Sequence, residues 1–150
     1  MGMDVYGTNP VIRKQSESKL LKKIGFGDDD WFEKWSDLSE EDKNKWSDAR
    51  QQEEEDNPGI YFRNNVWWWR PLWDYVCSIC DDFIDENRWD NGHSNNGESF
   101  TDEEAKMIAV RLLREIKNND TEAYERLYEI KTEGDKYQYP FSVDNVRNFA

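Results

Sequence analysis

The chain has 150 residues and a formal charge of −13, with 33 acids against 20 bases, a balance that excludes long nucleic acids and anionic membranes as direct partners. Hydrophobic residues make up only 36% while aromatic residues reach 15%, so large rings must build the core, each able to bury roughly 150–250 Å². No apolar run approaches the ~20 residues of a membrane span, the start Met1-Gly2-Met3-Asp4 lacks the regions of a signal peptide, and two cysteines, Cys77 and Cys80, are too few for a disulfide framework, so the chain reads as a cytoplasmic single domain over residues 1–150.

Met3-Asp4-Val5-Tyr6 reads as a short N-terminal strand stopped by Gly7 and Pro10, and Glu17 to Ile24 as a helix ended by Gly25. Asp28 or Asp29 then caps a helix carrying Trp31, Phe32 and Trp35. Ser39 opens a further helix to about Glu54, with Glu40, Glu41 and Asp42 in its first turn and Trp46 as its main apolar group. Residues 28–56 hold thirteen acids against four bases, which makes them an acidic helical arm with almost no core stripe, expected to project from the body or to dock through Trp46. Asn57-Pro58-Gly59 is a turn and a boundary, after which residues 59–150 form an aromatic-rich helical body.

Within that body, Ile60 to Val66 leads into Trp67-Trp68-Trp69-Arg70-Pro71-Leu72-Trp73, half of the chain's eight tryptophans in seven residues. Pro71 suits a first helical position and disfavours helical dihedrals at Arg70, which predicts a helix from Pro71 to about Glu86. Its apolar positions Leu72, Trp73, Val76, Cys77, Ile79, Cys80, Phe83 and Ile84 cover both i,i+4 rows, so it should be central, with Asp74, Ser78, Asp81, Asp82 and Asp85 on the remaining face. Asn87 to Ser99 reads as a polar loop. Thr101 and Glu104 form a capping box before an amphipathic helix to about Lys117, Asp120 caps another, and Ser142 caps a last one with Val143, Val146 and Phe149. The fold class is therefore mainly α: a compact helical domain with a short N-terminal strand and a projecting acidic helical arm.

Four constellations could carry chemistry. Cys77-Ser78-Ile79-Cys80 has redox or metal spacing, but inside a helix and without a second pair it reads as buried small side chains. His93, the single histidine, has no nucleophile pattern nearby. The loop Asn87 to Glu98 places Gly92 and Glu98 at calcium-loop positions 6 and 12, yet Asn87 and Trp89 break the ligand set. The tryptophan run with Arg63 and Arg70 could stack a base and hold a phosphate, or pack between arm and body; no Gly-rich phosphate loop accompanies it.

The opening Met1-Gly2-Met3-Asp4-Val5-Tyr6-Gly7, the tract Gly59 to Tyr75 and the region Thr101 to Leu112 resemble an uncharacterised family of small bacterial and phage proteins. That resemblance implies a phage or mobile-element setting and no activity. The leading expectation is a non-enzymatic, phage-encoded binding protein, without catalytic residues, metal or cofactor. It would engage and inhibit a basic host protein, a nucleic-acid-binding or defence enzyme, in the host cytoplasm. Its partner-binding residues would be Asp28, Asp29, Asp30, Glu40, Glu41, Asp42, Glu53, Glu54 and Glu55, with Arg63, Trp67, Trp68, Trp69 and Arg70 as ligand or interface residues. The alternatives are a nucleotide-type small-ligand binder built on the Trp/Arg segment and a metal-dependent hydrolase around Asp81, Asp82, Asp85 and His93; a homo-oligomer stays open.

Overall fold

A computed structural model describes residues 2–25 and 28–150; Met1, the first residue of the opening tract quoted above, and residues 26–27 lie outside the described residues. Among the described residues the chain is mainly helical, with eight helices and one two-stranded sheet. The elements run β1 (Gly2–Tyr6), α1 (Lys19–Lys23), α2 (Trp31–Ser36), α3 (Glu40–Asp56), β2 (Tyr61–Asn65), α4 (Val66–Ile79), α5 (Glu86–Ser94), α6 (Asp102–Lys117), α7 (Asp120–Thr132) and α8 (Val143–Phe149). They cluster into two compact units, Val5–Tyr61 and the stretch up to Asp4 together with Phe62–Ala150, and the division falls inside both strands.

In the unit Val5–Tyr61, aliphatic side chains are scarce and rings with polar handles take their place. Trp46 is the one buried residue of α3; its indole N–H donates to the Ile24 carbonyl at 2.9 Å, while Trp35 meets its ring edge-on at 5.0 Å. That bond ties α3 to the end of α1, the helix it packs against. Asn57, read from sequence only as part of a turn, is fully buried. Its Oδ1 accepts from the backbone N–H groups of Arg13 (2.7 Å) and Lys14 (3.0 Å), and its Nδ2 donates to the carbonyls of Lys14 (2.9 Å) and Glu53 (2.8 Å). All four hydrogen-bonding positions of the amide are thus used, so one side chain fixes the bend at residues 13–14 against the end of α3. Ser39 caps α3 as expected, accepting from Asp42 N at 3.1 Å. The cap position of α2 is Asp30 rather than Asp28 or Asp29, and its side chain makes no capping bond.

The second unit is built around α4, whose Trp69, Pro71, Leu72, Trp73, Tyr75, Val76 and Cys77 are all buried. The helix is broadly buried, as its two apolar rows imply, but its limits differ from expectation. It begins at Val66, so Pro71 lies inside it and Arg70 is helical. Asn65 supplies the reason: its side chain accepts from the N–H groups of both Trp67 and Trp68 at 3.0 Å, nucleating the first turn five residues before the proline. Pro71 then removes one backbone bond, which burial of the neighbouring rings offsets. The helix stops at Ile79 and a turn follows, so Phe83 and Ile84 belong to the connection rather than to α4.

The polar loop read over residues 87–99 is largely helix α5, capped by Asp85 accepting from Arg88 N. Its glycine and asparagines, taken as loop signals, are accommodated because Gly92 is the contact point with α4. The capping box of α6 is present, with Thr101 Oγ1 accepting from Glu104 N at 3.2 Å and the Glu104 carboxylate accepting from Thr101 N at 2.9 Å. Ser142 caps α8, whereas α7 is preceded by Asn119 in the left-handed region rather than capped by Asp120. Ile108 and Leu112 of α6, Phe141, and Val146 of α8 complete the buried set around α4. The Cys77 thiol is pushed up to about 12, first by burial and then by the nearby Asp74 charge, which makes it unreactive at neutral pH.

Asn57→Ala should cost about 2–4 kcal/mol, because it removes at once the partner of two backbone N–H groups and two carbonyls. Chemical denaturation of the full chain measures it, and a change below the ~1 kcal/mol typical of an ordinary surface hydrogen bond would remove the staple role.

Candidate functional site

Because α4 is buried on most of its circumference, only Trp67, Arg70, Asp74 and Ser78 reach solvent as one stripe, spaced i, i+3, i+7 and i+11. The tryptophan run therefore splits. Trp69 is 4% exposed and Trp73 3% exposed, whereas Trp67 is 51% exposed. The two buried indoles stack on each other at 5.5 Å and give their N–H groups to α5 carbonyls: Trp69 to Gly92 at 2.8 Å, Trp73 to Trp89 at 3.0 Å. Their other neighbours, Phe149 and Phe100, present ring edges. These two side chains are structural.

Trp67 has a different environment. It stacks on Tyr139 at 5.3 Å and 20°, and Arg70 stands over the same tyrosine with its guanidinium 5.9 Å from the ring centre, donating to Tyr139 Oη at 3.4 Å. One turn on, Asp74 Oδ1 accepts from the Trp89 indole at 2.8 Å and lies 2.9 Å from His93 Nε2. Burial pushes the Asp74 carboxyl up, but the hydrogen bonds from His93 and Trp89 outweigh it and hold the group below the ordinary aspartate value of 3.8. The His93 imidazole also meets the Trp89 ring edge-on at 4.5 Å, so Asp74, Trp89 and His93 form one polar cluster. Trp68 is half-buried, its carbonyl accepting from Asn145, and Arg63 pairs with Asp4 at 3.6 Å on the strands. Of the five residues grouped from sequence, only Trp67 and Arg70 share the exposed stripe.

The acidic set is distributed differently again. Asp30 pairs with Lys34 at 2.8 Å, Glu40 with Lys43 at 2.9 Å, Glu41 with Lys45 at 2.6 Å, and Glu53 and Glu54 both with Arg50 at 3.2 and 2.7 Å. The hydrogen bond from Lys45 holds the Glu41 carboxyl below its usual range. Asp42 gives its backbone N–H to the Ser39 cap and lies 4.0 Å from Lys45, while Asp28 accepts from Gly25 N at 3.1 Å. Asp29 is exposed, Glu55 accepts from the Gln51 amide at 2.9 Å, and Asp48, which the sequence grouping omitted, is exposed on the same helix. The unit as a whole is less acidic than its arm: fourteen acids meet nine bases, five of them between Arg13 and Lys23. Lys14 reaches Asp56 at 2.7 Å.

A groove of about 320 Å³ is lined by Ile12, Leu21, Lys22, Ile24, Arg50 and Glu53, among others, and a second of about 190 Å³ by Tyr6, Trp46, Arg50, Glu54 and Tyr61. Neither is lined by the Trp/Arg segment. Among the described residues, no three His, Cys, Asp or Glu side chains come together in metal-binding fashion, the Asp81, Asp82, Asp85 and His93 set included. Asp82 instead makes a paired contact with Arg111, at 2.5 and 2.8 Å. No described helix is long and apolar enough to cross a membrane.

Comparison with protein-family models, curated proteins and solved structures finds no match. The chemistry of the site therefore rests on its own residues. Sequence reasoning missed Tyr139, Trp89 and the Asp74–His93 pair; the 67, 70, 74 spacing held the signal, and starting the helix at Pro71 hid it.

Two sets of variants check the division of the tryptophan run. Trp69→Ala should destabilise by about 3–5 kcal/mol and Trp67→Ala by less than about 1 kcal/mol; equal costs would contradict it. Gly92→Ala, which in an open helix would gain up to about 1 kcal/mol, should instead destabilise, because the new Cβ would sit 2.3 Å from the Trp73 indole. A lowered carboxyl pKa contributes stability above the unfolded value of 3.8 that is lost as pH falls through the folded one. The melting-temperature gap between wild type and Asp74→Asn should accordingly be wide at neutral pH and close in strong acid; a gap that persists there would mean that the Asp74 charge is not what stabilises.

Proposed function

We propose that the protein is a non-enzymatic binding protein that engages a basic protein partner through the acidic surface of α3. The observation that carries this reading is the cost built into that helix. Eight carboxylates ride on a 17-residue helix that buries one side chain of its own, Trp46, and four of them, Glu53, Glu54, Glu55 and Asp56, occupy its last turn, where no base stands. The negative end of a helix dipole disfavours charge of that sign. Arg50 and Lys14 meet three of the four, leaving Glu55 and the mid-helix Asp48 outward. Acids placed against the dipole weaken the helix, and a complementary cationic surface offsets that cost. Carboxylates at helical spacing imitate phosphates, which suits a partner whose own ligand is nucleic acid. On this reading the protein is a phage-encoded inhibitor of a host nucleic-acid-handling or defence enzyme.

The test is affinity capture from bacterial lysate on the immobilised chain, with elution in salt steps. The expected result is a basic, nucleic-acid-binding protein that leaves the column below roughly 0.3 M salt, as screening over the ~8–10 Å Debye length weakens exposed charge pairs. It should also be displaced by a DNA duplex, and should be missing from a column carrying Asp48→Lys with Glu55→Lys. Glu55→Lys places a cation at the favourable end of α3, so loss of capture by that double variant does not report unfolding. Retention that ignores both salt and charge reversal would sink the reading.

A second reading is favoured by the exposed Trp67–Tyr139 stack beside Arg70: a nucleotide base on the open face of Trp67 with its phosphate at Arg70. Tryptophan emission titrated with common and cyclic nucleotides should then quench in wild type and not in Trp67→Phe. A flat titration removes it.

A further inference from the structure

Trp46, Arg50 and Glu54 stand at i, i+4 and i+8 on α3, so they share one face of that helix. Beside this face each strand contributes a tyrosine, Tyr6 at the end of β1 and Tyr61 at the start of β2. The five side chains line the cavity of about 190 Å³, and all belong to the unit Val5–Tyr61, so the cavity lies within one compact body. Trp46 is 6% exposed and held in place by its bond to the Ile24 carbonyl. The Tyr6 and Tyr61 rings lie 5.1 Å apart at 33°, and Tyr6 is 53% exposed, so the pair offers aromatic surface to an incoming group. At ~30 Å³ per water the space equals roughly six waters. That is room for a guanidinium and the two methylenes behind it.

We infer that this cavity receives an arginine side chain of the basic partner, its guanidinium flat on the tyrosine pair and turned towards Glu54. The inference rests on the reading of α3 as the face that meets a basic protein, and it names the anchor of that contact. Three features favour a cation there. The faces of aromatic rings carry negative potential. The cavity borders the last turns of α3, the negative end of the helix dipole. The third is charge: from Trp46 to Asp56 the helix holds five acids, Asp48, Glu53, Glu54, Glu55 and Asp56, against Arg50 alone, and Lys14 reaches in from outside to meet Asp56. Arg50 stands in the wall and by itself would repel a second cation. It contacts two carboxylates, however, Glu53 at 3.2 Å and Glu54 at 2.7 Å, so one positive charge faces two negative ones and the group attracts. Arginine is selected over lysine because the wall is largely ring: a guanidinium is planar, stacks on aromatic faces and is more weakly hydrated than an ammonium. A group sandwiched between two rings needs roughly 7 Å between them, two contacts of ~3.5 Å. The tyrosines stand closer than that, so the guanidinium lies on the outside of the pair. An arginine seated in an aromatic pocket is also a common form of interface hot spot.

The experiment titrates the full chain with N-acetyl-arginine amide at constant ionic strength and follows the aromatic side chains by NMR. The expected result is a saturable change at Tyr6, Tyr61 and Trp46 with a dissociation constant in the millimolar range. N-acetyl-citrulline amide, which has the same shape without the charge, should give none, and N-acetyl-lysine amide should bind more weakly than the arginine probe. Tyr6→Leu keeps apolar bulk and loses the ring, so it should weaken binding by about two- to fivefold, the worth of one exposed cation–π contact. Tyr6→Phe should bind as wild type does. Glu54→Gln should also weaken binding, since it leaves Arg50 less neutralised. Unchanged melting temperatures of the Tyr6 variants separate loss of the site from loss of fold. The absence of a saturable change overturns the inference, as does a citrulline probe that binds as well as arginine, or a Tyr6→Leu chain that binds as tightly as wild type. The titration needs no partner, so the two readings fail separately. A chain that binds the arginine probe and captures no basic protein from lysate loses the proposed function and keeps the pocket; one that captures a basic protein and ignores the probe loses the pocket alone.

Discussion

A buried indole has one N–H and must give it to something, and much of this molecule is arranged around that requirement. In α4, Trp69 and Trp73 lie stacked beneath α5 and donate to two carbonyls of that helix. Because those bonds are directed, they do what aliphatic packing alone would not: they fix where α5 lies along α4. Gly92 is the consequence, since the stacked rings come so close that no side chain fits on the α5 backbone at that point. The position of α5 in turn brings Trp89 and His93 to Asp74, and so assembles the polar part of the exposed stripe. Site and core are two sides of one helix.

The unit Val5–Tyr61 uses the same device with less material. One indole bond from Trp46 to Ile24 and one fully satisfied amide at Asn57 do the work of a hydrophobic stripe that α3 lacks. A helix anchored at so few points can devote its circumference to charge. Its ion pairs lie mostly between neighbours on the same helix, where they support helicity without tying it to a surface. The local charge pairing means that the field outside α3 comes from fewer carboxylates than the composition suggests.

Legibility varied with how local the cause was. The strand at the N-terminus, the Ser39 cap, the Thr101–Glu104 box, the Ser142 cap and the two-row burial of α4 were all readable, because each is decided within a turn or two of chain. The start of α4 was misjudged because Pro71 was weighed and the Asn65 cap was not, although both act locally. Helix α5 was unreadable for a different reason: a run of Asn, Gly and Ser is a loop by propensity, and only contact with rings more than fifteen residues away turns it into helix. The stripe of Trp67, Arg70 and Asp74 needs the right helix start, and Tyr139 lies 72 residues beyond Trp67, outside any periodicity argument. The acidic residues were found from composition, but which of them have a cation beside them depends on rotamers and on Lys14, well outside the arm.

Cys77 lies in the same helix as the stacked indoles, buried, and its thiol is raised to about 12. Cys80, at the end of that helix, is fully enclosed. Both sulfurs are shielded while α4 stays in place, Cys77 keeping 8% of its surface open, and burial disfavours the thiolate of each. The two cysteines thus form a built-in clock: the rate at which a thiol label enters the chain counts the openings of its central helix, under native conditions and without a denaturant.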